Sequence, residues 1–490
     1  MDFLDPQKQR RHDRLLLIGY VFIGIAILLV ATLLLYEAYG FGITKNGTII
    51  QKGFVFVSSL PSGSNIHLDN NQPTTAKTNT RLSVPSGQYT LQITRNGYQP
   101  WQTTLFVLGG SVQHYDYPFL IPLKLTSTPV KNYDSAPTMT TQSPDKRWFL
   151  VELAGDPPVF EIHDLKNSKL APTTVSLPAN KVSVGATQSW QAVEWSADNQ
   201  HVLLQHTYDD KTEFIVVDST DVSKSVNLNK TLGVNPTKIT LLNKKYDQYY
   251  LYTAANQTIS TATLNNPQPT AVLDHVLAYH SYGNDLLLYA SSQAVTSGKV
   301  AINLWQNGKT SLLREVSPSP TYLLDFTKYS GSWFMALGSV SEGRVYIYKD
   351  PQAQLQSKTG QAVPIFVLKT PNPQYLSFSD NARFIVDENG SQFAVYDNEN
   401  LQGFTYDTKR VLDAPQQHAS WMDGHHLTYV SGGKLLMLDF DGANAQDLVP
   451  ANPAYVPAFD PSFKFVDVLA PGANNQLTLT TTQLRTPADQ

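Results

Sequence analysis

Three short clusters in this chain carry residue types that can do chemistry. Gly308-Lys309-Thr310 has the ending of a phosphate-binding loop, in which glycine amides cradle a phosphate and a lysine neutralises it. Where that loop needs its first glycine stands Asn303, and the segment joins two strand-like runs, so Asn307-Gly308 reads as a hairpin turn. Asp439, Asp441 and Gly442 sketch a calcium loop. Its sixth position is Asn444 in place of glycine and no closing glutamate follows, so an inter-strand turn is expected. His418, His425 and His426 flank Asp423 as zinc ligands would, but adjacent residues on a strand face opposite ways, so His425 and His426 do not share one metal.

Four carboxylates, Asp145, Asp198, Asp380 and Asp423, recur at matching places in similar phrases. A turn residue repeats in this way; a unique acid–base pair does not. No Gly-x-Ser-x-Gly elbow occurs, and a chain of 490 residues without cysteine has no thiol nucleophile, thiolate metal site or disulfide. The sequence therefore assigns no catalytic residue, cofactor or metal ligand, and leaves the ligand-binding residues open.

The elements that carry these clusters follow from composition and pattern. With 36 basic and 40 acidic residues spread without long blocks, a formal charge of −4 excludes a nucleic-acid footprint. From Leu15 to Tyr36 runs an uncharged apolar segment, LLLIGYVFIGIAILLVATLLLY, long enough as a helix to span roughly 33 Å and so a bilayer core. Lys8, Arg10, Arg11 and Arg14 precede it and only Lys45 and Lys52 follow closely, which predicts a cytoplasmic N-terminus and everything beyond residue 40 outside. The run exceeds a signal-peptide core and no small-x-small cleavage site follows it, so a retained anchor in the lipid bilayer is expected over a cleaved leader.

Residues 53–125 read as short strands, GFVFVSS, SNIHLDN, RLSV and QYTLQIT, separated by Pro61-Ser62-Gly63, Pro85-Ser86-Gly87 and Asn96-Gly97. Strand, Pro61-Ser62-Gly63-Ser64, strand, Pro85-x-Gly87-x-Tyr89 and Gly97-Tyr98 together resemble the PEGA domain family, with Ser62 and Ser64 in place of its Glu and Ala. The resemblance implies a small β-sandwich of bacterial or archaeal surface proteins with a structural or adhesive role. Tyr98, Trp101 and Phe106 form either a core or an exposed aromatic patch, with packing favoured.

From residue 126 one grammar repeats eight times at spacings of roughly 37 to 53 residues: a turn with Asp, Asn or Gly, an apolar strand, a second turn and a second strand. Ser143-Pro144-Asp145-Lys146-Arg147 before WFLVEL, Trp195-Ser196-Ala197-Asp198 before HVLLQH and Trp421-Met422-Asp423-Gly424 before HHLTYV are the clearest copies. These phrases resemble TolB-like and WD-repeat-like propellers. The expectation is an all-β chain beyond the helix, with an eight-bladed propeller favoured over seven and residues 126–133 closing the last blade.

The domain plan read from the sequence is a cytoplasmic tail at 1–14, a transmembrane helix at 15–36, a linker at 37–52, a PEGA-like sandwich at 53–125 and a propeller at 126–490. The expected function is an anchored, extracytoplasmic binding or scaffold protein of the bacterial cell envelope, presenting the propeller to a protein or glycan. The alternative is a glycan-active hydrolase or lyase with its site at the propeller mouth.

Overall fold

A computed structural model describes residues 6–43, 49–68, 76–155, 157–167, 170–283, 286–357, 360–414, 417–472 and 476–486. The chain is mostly β, with one long apolar helix, Pro6–Ala38, near its start. None of that helix's most apolar stretch is buried against the rest of the protein, and it is long and apolar enough to cross a membrane. Contacts divide the chain into two units, one reaching Lys124 and including Arg485 and Thr486, the other Leu125–Leu484.

In the first unit, strands Phe41–Ile43, Ile49–Val57, Thr80–Pro85 and Val112–Tyr115 form one sheet, and Asn65–Leu68, Gly87–Thr94 and Trp101–Val107 form a second. Alternation builds the core between them: in Gly87–Thr94, Tyr89, Leu91 and Ile93 point inward while their neighbours stay wet. Trp101 is fully buried and Tyr98 nearly so, whereas Phe106, one step out of phase on its strand, is 61% exposed. The three aromatics are therefore not one patch. Most of the SNIHLDN strand lies at Asn65–Leu68, and its last two residues fall outside the described residues.

The described residues of the second unit form eight four-stranded antiparallel sheets; in seven of them each strand pairs with the next in sequence, and the eighth takes its outer strand from the start of the unit. The first sheet is Met139–Gln142, Trp148–Leu153, Val159–Asp164 and Thr173–Ser176. The first strands of the following seven are Gln188–Trp195, Lys238–Leu241, Val276–Tyr282, Tyr322–Tyr329, Tyr375–Phe378, Ser420–Trp421 and Ala458–Phe459. Second and third strands are sandwiched between neighbouring sheets and are buried on both faces, as in Leu286–Ser291, so they read as unbroken apolar runs. Outer strands such as Gln402–Asp407 are largely exposed and polar.

Shared cores join consecutive sheets. Leu150 and Phe160 of the first pack with Trp195 and Val202 of the second, and Leu323 and Ile347 of the fifth with Leu376 and Ile385 of the sixth. Each fully buried side chain of this kind contributes roughly 1.5–3 kcal/mol. The circle returns on itself where Leu469 and Leu479 of the eighth sheet meet Phe149 and Val151 of the first. Thr126–Tyr133 is the eighth sheet's outer strand, paired from Tyr133 opposite Leu477 to Thr126 opposite Gln483, as the sequence reading expects. Both ends of the unit thus lie in one sheet, leaving no open edge between first and last elements. This circular succession of four-stranded sheets is a propeller architecture.

Candidate functional site in the propeller channel

The recurring turns resolve the sequence-level candidates first. Asp198 accepts hydrogen bonds from the backbone amides of Gln200 and His201 at 2.9 and 3.1 Å, and Asp423 from those of His425 and His426 at 2.7 and 2.8 Å. Asp145 accepts from the Arg147 amide at 3.2 Å. These carboxylates build the turns between first and second strands. Asp380 differs: Asn381 takes the turn role, accepting from the Arg383 amide at 3.1 Å, and Asp380 pairs with Lys146 Nζ at 2.9 Å.

The three histidines go to three different partners. His426 Nδ1 lies 2.8 Å from Asp423, His425 packs edge-on against Phe384, and His418 Nδ1 lies 2.9 Å from Glu388. Among the described residues no group of three such side chains is placed to hold a metal. Asn444 Nδ2 donates to Asp439 at 2.8 Å and the Ala443 amide to Asp441 at 3.0 Å, which makes the calcium-like phrase a turn between third and fourth strands. Asn307 and Gly308, both at positive φ, form the hairpin turn that replaces the phosphate loop.

The structure adds a site that none of these motifs announces. First strands of consecutive sheets adjoin one another around the ring, so side chains that leave the sheet interfaces gather in the channel between them. Glu194 of the second sheet pairs with Lys244 Nζ at 2.6 Å, in the turn after the third sheet's first strand. On Val276–Tyr282, alternation sends Tyr279 and Ser281 to Thr240 of the third sheet, at 3.1 Å each, and turns His280 the other way. His280 Nε2 then lies 3.2 Å from Asp325 on the fifth sheet. Asp325 accepts from the Phe326 amide at 2.8 Å and from Phe378 of the sixth sheet at 3.2 Å. Tyr375 stacks on His418 with ring centres 4.1 Å apart.

Electrostatics distinguish this wall from an ordinary core. Enclosure raises the Asp325 carboxyl to about 7, against the two amide hydrogen bonds and the Lys244 charge, which lower it. The same enclosure, with the Lys244 and Lys238 ammonium groups, lowers His280 to about 3. His280 nevertheless keeps 39% of its side-chain surface accessible, as expected for a group facing a narrow wet lumen. Lys238 is pulled down by loss of solvation, opposed by Glu194, and its ammonium sits 4.8 Å from the Tyr279 ring centre. Such a wall can hold an anion on its lysines and can exchange a proton at Asp325 near neutral pH.

Elsewhere the lumen is bridged. Lys146 belongs to the first sheet's turn and Asp380 to the sixth's, which are not neighbours in the ring, so their ion pair crosses the axis. Beside it Gln142, Trp421 and Phe459 help line a cavity of about 380 Å³.

With this geometry in hand, comparison with known proteins adds a family and a set of folds. Residues 52–119, the small sandwich, match the PEGA domain family. No curated protein matches the sequence. Among solved structures, the Dos1 propeller is 12% identical, covering 73% of this chain and 96% of that one, with a TM-score of 0.43. Dihydro-heme d1 dehydrogenase NirN is 13% identical over 68% and 69%, at 0.41, and oligogalacturonate lyase from Vibrio parahaemolyticus 9% over 75% and 100%, at 0.39. Likenesses at this level carry nothing about activity or ligand.

Proposed function

We propose that this chain is an anchored recognition protein: residues 15–36 hold it in a cytoplasmic membrane, the PEGA sandwich follows outside, and a closed ring of eight blades presents a protein- or glycan-binding surface in a bacterial envelope. The observation that carries the binding reading is the fate of the recurring carboxylates. Asp145, Asp198 and Asp423 each give one oxygen to the backbone amides of their own turns, and the second oxygens of Asp198 and Asp423 face His201 and His426 of those same turns, so the repeat reads as a device for building blades rather than for supplying an acid and a base. The test passes glycan fragments and envelope proteins over the immobilised full chain in detergent and measures retention. Retention of no member of either class at micromolar protein would overturn it.

A second reading, a glycan-active hydrolase or lyase, is favoured by one observation, the Asp325 carboxyl held near neutral beside His280 in the lumen. It requires turnover of a retained glycan that Asp325→Asn abolishes while leaving retention intact.

A further inference from the structure

Asn303 sits in the middle of the fourth sheet's third strand, Val300–Gln306, flanked by Tyr289 on one neighbouring strand and Leu312 on the other. Only 7% of the residue is exposed, and its carboxamide, which makes no hydrogen bond to the described residues of the protein, keeps its polar atoms within reach of solvent. Asn303 is not facing solid core: it lines a groove of about 570 Å³ between the third and fourth sheets. The third sheet's outer strand, Thr270–Leu273, forms one side of it.

The wall chemistry narrows the occupant. Asn303 and Gln293 offer amides, Tyr289 and Thr310 hydroxyls already paired with each other at 3.2 Å, and Asp274 one carboxylate, with Leu312 supplying an aliphatic surface. Among the described residues, no cationic side chain lines the groove. Its volume falls in the range of small-ligand sites, but those are mostly apolar and peptide sites depend on buried aromatic or arginine-filled sockets, neither of which describes this wall. A neutral, hydroxyl-covered ligand fits it: each hydroxyl both donates and accepts, matching both ends of the Asn303 carboxamide, and Asp274 accepts from hydroxyls while repelling an acid.

We propose that the groove between the third and fourth sheets is a binding site for a neutral oligosaccharide, with Asn303 as its central polar contact. This rests on the propeller being a recognition head but names a site distinct from the channel. The test is calorimetric titration of the full chain in detergent with tetrasaccharides of glucose, galactose, mannose and N-acetylglucosamine, of galacturonic acid, and with an extended-peptide array. At least one neutral tetrasaccharide should bind, with its dissociation constant raised tenfold or more by Asn303→Leu and by Asp274→Ala, and unchanged by the channel variant Asp325→Asn. Asp274 is exposed, so its replacement keeps the test valid if Asn303→Leu fails to fold. Binding of peptides or only of the galacturonate, neutral-sugar binding indifferent to both groove variants, or no neutral-sugar binding would each overturn the assignment. Sugar binding lost in Asp325→Asn alone would overturn it too, while leaving the recognition reading in place.

Discussion

Replacing Glu161 with leucine should loosen the ring at its closure. Glu161 lies on the first sheet with 3% of its side chain exposed and receives both Lys131 and Tyr133 from the strand that closes the eighth sheet, the Tyr133 hydroxyl at 2.9 Å. The lysine is 40% exposed, so its ion pair is screened and worth about 1 kcal/mol at most. The tyrosine hydroxyl is buried against a charged acceptor, a bond worth about 1.5–3 kcal/mol, and leucine leaves it unmet. Together the loss is about 2–4 kcal/mol. A unit as long as Leu125–Leu484 has a large unfolding entropy, which converts that loss to a fall in melting temperature of about 3–6 °C. Tyr133→Phe should fall by less, since it removes the hydroxyl and spares the carboxylate's lysine. The assay is differential scanning of the full chain together with hydrogen exchange on strands Thr126–Tyr133 and Leu477–Gln483, where protection should drop first. An unchanged melting curve with unchanged exchange in both strands would refute the latch.

Glu213 is held at about 2 by hydrogen bonds from His206, Ser183 and Asn227 that outweigh burial, so its stabilisation is present above the unfolded carboxyl range near 4.5 and is lost as pH falls towards 2. Glu213→Gln should cost roughly 3 kcal/mol at pH 7 and flatten the acid limb of a melting-temperature profile; an equal acid slope in both proteins would contradict this. Asp325 has the opposite sign: with its carboxyl raised to about 7, the fold loses stability as pH rises from about 4 to about 7, so Asp325→Asn should gain on the parent from pH 5 to pH 8 in the same scan. For the anchor, protease added to intact spheroplasts should remove both folded units while alkaline carbonate leaves the helix in the membrane; a protected C-terminus or a processed soluble form would reverse the topology.

The second and third strands of each sheet were legible because burial on both faces demands apolar runs such as Val202-Leu203-Leu204 and LLLYA, and because the turn before them needs a carboxylate or amide to accept backbone amides. First strands were not. Ser420–Trp421 and Ala458–Phe459 are two residues long, and Gln188–Trp195 alternates between lumen and interface with mixed polarity. The channel wall escaped for the same reason. Glu194, Lys238, His280 and Asp325 are each unremarkable in sequence, some forty to fifty residues apart, and meet only because four consecutive blades turn their first strands to one axis. A polar residue shortly before each repeated turn was the available signal. Asp380 was misassigned because Ser379-Asp380-Asn381 offers two candidates and the turn uses the amide, freeing the carboxylate for Lys146.

The central claim, that the propeller recognises and does not transform, is tested most directly by recovering whatever the immobilised full chain retains and comparing its mass with what was supplied. The account predicts ligand returned unchanged, at no more than one equivalent per chain on each site, with Asp325→Asn behaving as the parent. Fragments released in excess of the protein, and absent with Asp325→Asn, would contradict it and make the lumen an active site.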